Sequence, residues 1–534
     1  MRRTMEERRA ELLQQDSLFV PTSASQPSST TEQLSGVTAL TESNIIDIGD
    51  EMKPEVVHPS AKSPDQVFTC KGWTLDHLLS THKNFHAAPR LEVSDATEDA
   101  IAVRDAEGLP FVIQGLQGLE GWKHELLNLE WLKINSPSNE KVTVRNIHNN
   151  VDTEMPFLEF LNKTRNIDPF VQDGERERLY GKDLETPLPW IDWLYEGKVV
   201  PSSLRPTTNN LSMYLPDSAK VDTLMNYIGT GDTFTPSHKD LCASHGHNLM
   251  CYTENGGSSF WFMTKRQDAR KVADYFHDKL GHDIDHENHV TSIEDFANAP
   301  FPVYIVEQKM GDLVMVPRMS CHQVVNHGGL TVKMSWSRMS LKSIADSVYY
   351  ELPLYRRVCR QETYRVRLTL YYTIRALYKK FTDQMQEHDT SIRSMTLESQ
   401  ARRLTQALRI FDDVLQNECV DNHESLPCYS SSESFESYPS CDFCGADIFQ
   451  SFLECEHCHS DGDPCTICPG CYAEGRSCRC RLMQPKQYQP LKNILQERKK
   501  AIEGLQQYWK SGSAQGVEFA PITYVEFHDY SACS

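Results

Sequence analysis

The feature that most constrains this chain is a set of three polar residues that lie far apart in the sequence. His238 and Asp240 occur as His-x-Asp in TPSHKDLC, and His322 follows the apolar run GDLVMVP. Residues i and i+2 of a strand point to the same face, so His238 and Asp240 can bind one ion together. Two imidazoles and one carboxylate can occupy one face of a ferrous ion and leave the other face open to a cosubstrate and oxygen.

Each of these elements also has an ordinary explanation. His-x-Asp arises by chance, and His322 can be a hydrogen-bonded structural histidine. Their joint occurrence in one strand-rich segment favours a metal site, provided that the fold brings the two distant strands together.

The segment between about residues 200 and 340 has the pattern of a β structure. Short runs rich in β-branched and aromatic residues recur there, including TLMNYIG, HNLMCYT, SSFWFMT, FPVYIVEQ and TVKMSWSRM. Gly, Asn, Asp and Pro separate these runs, which is typical of a closed or double-sheet β fold. An insertion that begins RQDARKVADYF interrupts the strands with a predicted helix and a His/Asp-rich loop.

The length of 534 residues predicts one large domain with appendages, because single cores seldom grow to that size. Changes in composition and periodicity give the expected boundaries. We predict a disordered region at 1–66, a main domain at 67–340 with its β core at about 200–340, a helical region at 341–420, a linker at 421–440, a Cys-rich module at 441–480, and a C-terminal helix and tail at 481–534.

The charge balance limits what the chain can bind. Lys+Arg 54 against Asp+Glu 74 gives a net charge of −20, which argues against a protein that coats nucleic acid with its whole surface. No stretch is as long and apolar as a membrane span, and the N-terminal MRRTMEERRAELLQQ is charged where a signal peptide needs an apolar run. We therefore expect a soluble intracellular protein with no membrane partner.

One segment departs from this acidic character. Residues 355–380 contain eight Arg or Lys, one Glu and five Tyr. This basic stripe is a candidate for local contact with DNA phosphates or a nucleosome surface. The alternative is the solvated face of a helix whose Tyr and Leu side chains pack inward.

The Cys-rich module points to a second kind of metal. Nine of the 17 cysteines lie in 441–480, mostly as Cys-x-x-Cys pairs, and two such pairs can hold one tetrahedral Zn²⁺. The candidate zinc ligands are Cys441, Cys444, Cys455, Cys458, Cys465, Cys468, Cys471, Cys478 and Cys480. Nine cysteines suit two ions; a disulfide-rich or redox segment is the alternative.

Several motifs together resemble the JmjC family of Fe(II)/2-oxoglutarate oxygenases. They are GLPFVIQGL, LYGKDLETPLPW, YIGTGDTFTPSHKDLCASHGHNLMCY and GDLVMVPRMSCHQVVNHGG, and the similarity covers about residues 105–340. The resemblance implies a mainly β core, a double-stranded β-helix of the cupin type, with flanking helices. It also implies that His238, Asp240 and His322 bind iron and that 2-oxoglutarate is the cosubstrate.

The resemblance also suggests residues for the cosubstrate. Thr235 and Asn248 match family positions near 2-oxoglutarate, although each can equally be a structural hydroxyl or amide. Many members carry a lysine on the strand aligned with SSFWFMT, where this sequence has Ser258 at the matching position. Lys333, on the next predicted strand after His322, is a candidate substitute for that cation; a solvated strand face is the alternative.

Tyr227 aligns with a tyrosine that contacts the methylammonium group in demethylating members, and a core aromatic is the alternative. Ser335 and Asn326 are further candidates for the same pocket.

The module at 441–480 resembles the Cys-rich finger found beside JmjC domains in some histone demethylases. In cross-brace fingers the first and third pairs share one ion and the second and fourth share the other, so pairing by sequence order is not assumed. Taken together, the resemblances imply a nuclear, chromatin-regulating enzyme that demethylates methyl-lysine on histones or other chromatin proteins. Stable hydroxylation of a protein side chain and a non-catalytic chromatin scaffold are the alternatives.

Overall fold

A computed structural model describes residues 68–511, apart from residue 138, 387–392, most of 417–438 and 461–462, and it also describes residue 519. The chain divides into two units, Met1–Phe68 and Thr69–Ser534, and the helices and strands of the described residues all lie in the second unit. The predicted disorder of 1–66 lies outside the described residues, as do most of the predicted linker at 421–440 and nearly all of the tail after 511.

Two large sheets form a sandwich, and a small third sheet lies in the C-terminal cysteine module. The strands are β1 Phe85–Ala87, β2 Arg90–Glu92, β3 Phe111–Gln114, β4 Lys141–Asn146, β5 Val151–Pro156, β6 Leu179–Glu185, β7 Met225–Gly229, β8 Phe234–Lys239, β9 His245–Thr253, β10 Ser258–Met263, β11 Val303–Gln308, β12 Leu313–Val316, β13 Cys321–His327, β14 Thr331–Arg338, β15 Ser451–Ser460, β16 Asp463–Ile467 and β17 Gln484–Gln487. One large sheet has the order β1-β11-β10-β13-β8 and the other β2-β3-β12-β9-β14-β7-β6-β4-β5; the small sheet is β16-β15-β17.

Part of the sandwich interior is apolar, because side chains of alternate residues along each strand point inward. One cluster joins Val112 and Val314 of the nine-stranded sheet to Trp261, Val306 and Val324 of the five-stranded sheet. The predicted mainly β core with flanking helices and a small cysteine module is therefore confirmed.

Helices cover the sandwich and form the region that follows it. They are α1 Leu75–Thr81, α2 Glu98–Glu107, α3 Leu129–Asn135, α4 Phe157–Asn166, α5 Leu188–Glu196, α6 Ala269–Tyr275, α7 Ile293–Ala297, α8 Leu341–Asp346, α9 Leu352–Val358, α10 Val366–Gln386, α11 Arg393–Leu415, α12 Pro469–Ala473 and α13 Leu491–Ser511. Side-chain caps start several of them: Thr74, Thr97 and Asn128 each accept a hydrogen bond from a backbone N–H of the first turn. No helix within the described ranges has the length and apolarity needed to span a bilayer.

Strands β8 and β13 set the position of the metal ligands. They pair in antiparallel register with His238 opposite His322, so residues distant in sequence become neighbours across one ladder. The next paired residues are Thr235 and Val324, which means that β8 contains one extra residue between its two pairs. This bulge reverses the alternation, so that Thr235 faces the same side as His238 although the two are three residues apart.

Candidate active site

The structure brings the three predicted iron ligands together. His238 lies near the end of β8, Asp240 follows that strand directly, and His322 is the second residue of β13. Their ligand atoms all lie within 4.8 Å of one another, and the two imidazole centroids are 4.0 Å apart. The arrangement therefore offers two nitrogens and one carboxylate to a single ion.

Backbone carbonyls fix the orientation of both imidazoles. The Nδ1 of His238 lies 2.8 Å from the carbonyl of Pro236, and the Nδ1 of His322 lies 3.2 Å from the carbonyl of Ser320. When Nδ1 carries the proton and donates it to a carbonyl, Nε2 has a free lone pair. Trp261 stacks on His322 with ring centroids 5.9 Å apart and restricts the ring further.

The electrostatics suit a divalent cation. Burial, followed by the neighbouring His322, lowers the pKa of His238 well below its usual range, so the neutral, metal-binding form prevails. Burial raises the pKa of Asp240, and its Oδ2 is a buried oxygen without a hydrogen-bond partner among the described residues. A cation at this position would satisfy that oxygen and neutralise its charge.

Gly246 on β9 leaves room for the Asp240 carboxylate. A Cβ at residue 246 would lie 2.1 Å from Oδ2 of Asp240, well inside van der Waals contact. The strand therefore needs a residue without a side chain beside the proposed metal ligand.

Lys333 lies in the interior and not on a solvated strand face. Its side chain is buried, and Nζ donates to Oγ of Ser259 at 3.0 Å and to Oδ1 of Asn326 at 2.6 Å. No carboxylate lies within ion-pair distance of Nζ in the part of the chain that the structure describes. Burial alone lowers the pKa of Lys333 to about 7. A buried ammonium with only neutral oxygens around it lacks the anionic partner that such groups need.

Two hydroxyl groups lie beside this lysine site. Oγ1 of Thr235 and the hydroxyl of Tyr180 are 3.2 Å apart, and both are buried. Asn326 interacts with the Tyr180 hydroxyl as well as with Lys333. We call Tyr180, Thr235, Ser259, Asn326 and Lys333 the polar cluster. Its cation and hydroxyl groups are the donors that a carboxylate needs.

The strand that lacks a family lysine places a different serine at the site. Ser259 and Trp261 face the polar cluster and His322, whereas Ser258, one residue earlier, points to the opposite face of β10. The position that matches the family lysine therefore shifts from Ser258 to Ser259. The lysine that reaches this place comes from β14.

Asn248 and Ser335 make internal contacts. Oδ1 of Asn248 accepts from Nε2 of Gln308 at 3.1 Å, and Oγ of Ser335 donates to the carbonyl of His247 at 2.9 Å. A cosubstrate role for Asn248 stays a prediction.

Tyr227 lies on β7 opposite Lys333 of β14, so both side chains point to the same face of the sheet. The Tyr227 hydroxyl donates to Oδ1 of Asp183, and its ring centroid is 6.5 Å from that of Tyr180. A cleft of about 960 Å³ opens beside Tyr180, Lys182 and Asp183. The cleft is lined on β7 by Asn226 and Ile228, whereas Tyr227 points to the face that carries Lys333.

The sequence predictions missed Tyr180, Ser259 and Asp183. Tyr180 and Asp183 belong to LYGKDLE, which the sequence marks only as part of a shared motif. The alternation along that strand was the available signal, but a register shift between Gly181 and Leu184 disturbs it. Asp183 adopts a positive φ of 58° within this irregular stretch.

The cysteine module contains two groups of four thiols. Within each group the sulfurs lie within 4.8 Å of one another. The first group is Cys441, Cys444, Cys468 and Cys471, and the second group is Cys455, Cys458, Cys478 and Cys480. The pairs therefore alternate along the chain, and Cys465 belongs to neither group although it lies opposite Cys455 in the β15–β16 ladder. All nine are free thiols and form no disulfide. Four sulfurs are a typical ligand set for structural Zn²⁺.

The basic stripe at 355–380 is largely engaged within the protein. Arg356 pairs with Glu474 at 2.6 Å, Arg360 with Glu287 at 2.8 Å, and Arg365 with Asp447 at 3.6 Å. Leu370, Tyr371 and other apolar residues of α10 are buried. Contact of this segment with DNA stays a prediction, while its internal role is evident from these pairs.

Comparisons with known proteins agree with the arrangement of His238, Asp240 and His322. The family model of the JmjC domain, described as a hydroxylase, matches residues 225–337, which include all three predicted iron ligands. The chain is also 29% identical over 408 residues to C-module-binding factor A of Dictyostelium discoideum. That alignment covers 72% of this chain and 39% of the relative, so the chain spans well under half of the relative's length. Residues 225–337, which hold the three ligand residues, therefore match the model of the JmjC domain.

Proposed function

We propose that the chain is an Fe(II)- and 2-oxoglutarate-dependent dioxygenase that demethylates methyl-lysine on histones or other chromatin proteins in the nucleus. The observation that carries the dioxygenase part is Lys333, a buried ammonium with no carboxylate partner among the described residues, in the same sandwich interior as the ligand triad. A small dicarboxylate satisfies both features, since one end binds the metal and the other meets the ammonium.

The iron, when bound by His238, Asp240 and His322, would supply the activation of oxygen. The protein's own residues would hold the reactants. Lys333 would bind the far carboxylate of 2-oxoglutarate, assisted by the hydroxyls of Tyr180 and Thr235. The apolar ring of Trp261 would keep water from one side of His322. No side chain has to transfer a proton in this arrangement.

The substrate part of the proposal rests on Tyr227 and Asp183. Because the Tyr227 hydroxyl donates to Asp183, its oxygen lone pairs remain available to the polarised C–H groups of a methylammonium. The aromatic ring and the nearby carboxylate also favour a cation. Hydroxylation of one methyl group would give a hemiaminal, which breaks down to formaldehyde and an amine with one methyl fewer.

The two cysteine groups are proposed to bind one Zn²⁺ each, since each supplies four sulfurs and the module has a small core of its own. The relative's name describes binding to a C-module. A related binding role, through the cysteine module or the stripe at 355–380, would bring the enzyme to its chromatin substrate.

The test is an array of methylated peptides incubated with Fe(II), 2-oxoglutarate and the full chain, read by mass spectrometry. Loss of CH₂ from a methyl-lysine peptide in wild type and no change with His238→Ala would support demethylation. Gain of one oxygen would instead identify a side-chain hydroxylase. Identical spectra for wild type and His238→Ala, with no succinate formed, would refute catalysis and leave a scaffold.

Replacing Tyr227 with phenylalanine separates the substrate proposal from the cosubstrate proposal. The variant loses the hydroxyl that meets Asp183 and the proposed methyl groups, so we expect KM for a methylated peptide to rise roughly tenfold. The dissociation constant for 2-oxoglutarate should stay within about twofold of wild type, because the hydroxyl that is removed bonds Asp183, which is not a member of the polar cluster. A variant with unchanged peptide KM would contradict the placement of the methylammonium beside Tyr227.

The pH dependence of 2-oxoglutarate binding tests the state of Lys333. Its pKa in the folded chain is about 7, below that of an exposed lysine at about 10.4. Below pH 7 the ammonium is present to meet the carboxylate; above it, binding must first take up a proton. We therefore expect affinity to fall about tenfold per pH unit above 7. Calorimetry in buffers of different ionisation enthalpy should detect proton uptake, and Lys333→Met should abolish it.

The lowered pKa of Lys333 also affects the stability of the unliganded protein, and this effect of pH runs in the opposite direction to its effect on affinity. Between pH 7 and about 10 the unfolded chain binds more protons at this lysine than the folded chain does, so the free energy of unfolding should rise with pH over that window. Affinity for 2-oxoglutarate that is constant from about pH 6.5 to 8.5 would contradict a lysine with a lowered pKa.

A further inference from the structure

A single stretch of chain lies between the proposed iron site and the cysteine module. We call Tyr355–Arg367 the connecting segment; it includes the end of α9 and the first residues of α10. On one side it contacts the turn that follows Asp240. The backbone N–H of Cys242 donates to the Tyr355 hydroxyl at 3.0 Å, and both residues are buried.

The turn that follows Asp240 has a backbone conformation that contacts with other parts of the protein must stabilise. Cys242 and Ala243 both have positive φ values, 52° and 48°, although neither is glycine. Residues with a Cβ hold this conformation only where the surroundings enforce it. The hydrogen bond to Tyr355 is therefore a restraint on the stretch of backbone that carries Asp240.

The insertion between β10 and β11 also meets the connecting segment. Arg360 donates from Nη2 to Oε1 of Glu287 at 2.8 Å, and Nε2 of His286 lies 3.1 Å from the carbonyl of Val358. Glu287 belongs to the charges that act on Asp240, which places this contact near the ligand triad. The connecting segment is thus held against two elements that border the proposed iron site.

On its other side the connecting segment meets the first cysteine group. The N–H of Glu362 donates to the carbonyl of Gly445, the residue after Cys444, at 2.9 Å. The buried Glu362 carboxylate accepts from the N–H of Val366 at 3.0 Å and from the N–H of Asp447 at 3.3 Å. The Glu362 side chain therefore links the start of α10 to the first Cys-x-x-Cys loop through hydrogen bonds.

The second Cys-x-x-Cys loop of the same group makes a parallel contact. Arg356 donates to Glu474, three residues after Cys471, at 2.6 Å. A Cβ on Gly470 would lie 1.9 Å from Nη1 of Arg356, so the guanidinium lies directly against this loop. Both loops of the first group, Cys441–Cys444 and Cys468–Cys471, are consequently in contact with the connecting segment.

We propose that the first cysteine group, with Zn²⁺ bound, is a structural part of the catalytic unit and positions Asp240 through the connecting segment, with Glu362 as the positioning residue. Zn²⁺ fixes the spacing of the two loops, and the loops fix the connecting segment. The segment then holds the strained turn through Tyr355. This deepens the proposed function, on which it rests, by giving the zinc module a role in assembling the iron site.

Hydrogen exchange of the full chain, measured by mass spectrometry without iron, tests this coupling independently of catalysis. Three variants are compared with wild type: Cys468→Ser in the first group, Cys478→Ser in the second group as the matched control, and Glu362→Gln with its zinc content measured. We expect Cys468→Ser and Glu362→Gln to speed exchange in residues 240–247 at least about tenfold. Cys478→Ser should leave that stretch unchanged, and residues 141–156 should be unchanged in all three.

The outcomes separate the proposals. Wild-type exchange at 240–247 in Glu362→Gln overturns the coupling, even if Cys468→Ser fails to fold. Equal acceleration by Cys468→Ser and Cys478→Ser also overturns it, because it would indicate general loosening of the module. If exchange at 240–247 is accelerated in Cys468→Ser and Glu362→Gln but the wild-type protein shows no oxygenase activity, the coupling is supported and only the proposed function is refuted.

Discussion

Lys333→Met is expected to raise the dissociation constant for 2-oxoglutarate at least about 100-fold without destabilising the unliganded protein. Removing one partner of a buried, hydrogen-bonded charge pair costs about 2–5 kcal/mol of binding energy, and 100-fold is about 2.7 kcal/mol. Methionine has a similar length and adapts well to a buried site. The free protein should be as stable as wild type or more so, because a buried ammonium without a counter-ion is removed.

The neighbours of Lys333 tolerate this change. Oδ1 of Asn326 still accepts a hydrogen bond from Oγ of Ser259 at 2.8 Å when the ammonium is absent. Affinity is measured by calorimetry with a non-oxidising metal in place of iron, and stability by thermal unfolding. Lys309→Met, at a side chain that is 67% exposed, is the control. Equal cosubstrate affinity in Lys333→Met and Lys309→Met would remove the basis for the proposed cosubstrate site.

Gly246→Ala is expected to weaken metal binding at least about 100-fold in a protein that still folds. The new methyl group would lie 2.1 Å from Oδ2 of Asp240 and 3.1 Å from Cβ of Val316. The Asp240 carboxylate is the group that can rotate away, and it would then leave the position at which it meets His238 and His322. The loss therefore comes from a displaced ligand and not from an unfolded sheet.

Metal affinity is followed by titration with Co²⁺, whose visible spectrum reports its coordination. Gly118→Ala is the matched control, since a Cβ there meets nothing within 4 Å. Circular dichroism of both variants should match wild type. If Gly246→Ala binds Co²⁺ as tightly as Gly118→Ala does, the carboxylate of Asp240 is not a ligand at the observed position.

The His238 and Asp240 pair and the mainly β fold could be predicted because each depends on a local pattern, whereas His322 is brought to that pair by the pairing of β8 with β13. The i, i+2 spacing of His238 and Asp240 and the alternation within each run are visible in the sequence alone. The shared face of Thr235 and His238 could not be derived in this way, because it depends on a bulge in β8. The assignment of the missing lysine to Ser258 failed for a related reason: one residue of register moves a side chain to the opposite face.

The partners of the cysteines and arginines could not be predicted from local sequence patterns either. Cys468 belongs to two overlapping Cys-x-x-Cys motifs, with Cys465 and with Cys471, and spacing does not choose between them. The structure joins Cys468 to Cys471, where Pro469 starts a short helix between them. The acidic partners of Arg356 and Arg365 are Glu474 and Asp447 in the cysteine module, so only the tertiary fold could show that the basic stripe is an internal junction.

The most direct test of the central claim is an anaerobic titration of the iron-loaded full chain with 2-oxoglutarate, followed by the visible charge-transfer absorption of ferrous iron chelated by a 2-oxo acid. The wild type should develop this band at low cosubstrate concentration, and Lys333→Met should need at least about 100 times more. His238→Ala should show no band at any concentration. A band of equal strength in all three proteins, or none in the wild type, would contradict an iron and 2-oxoglutarate site built from the triad and Lys333.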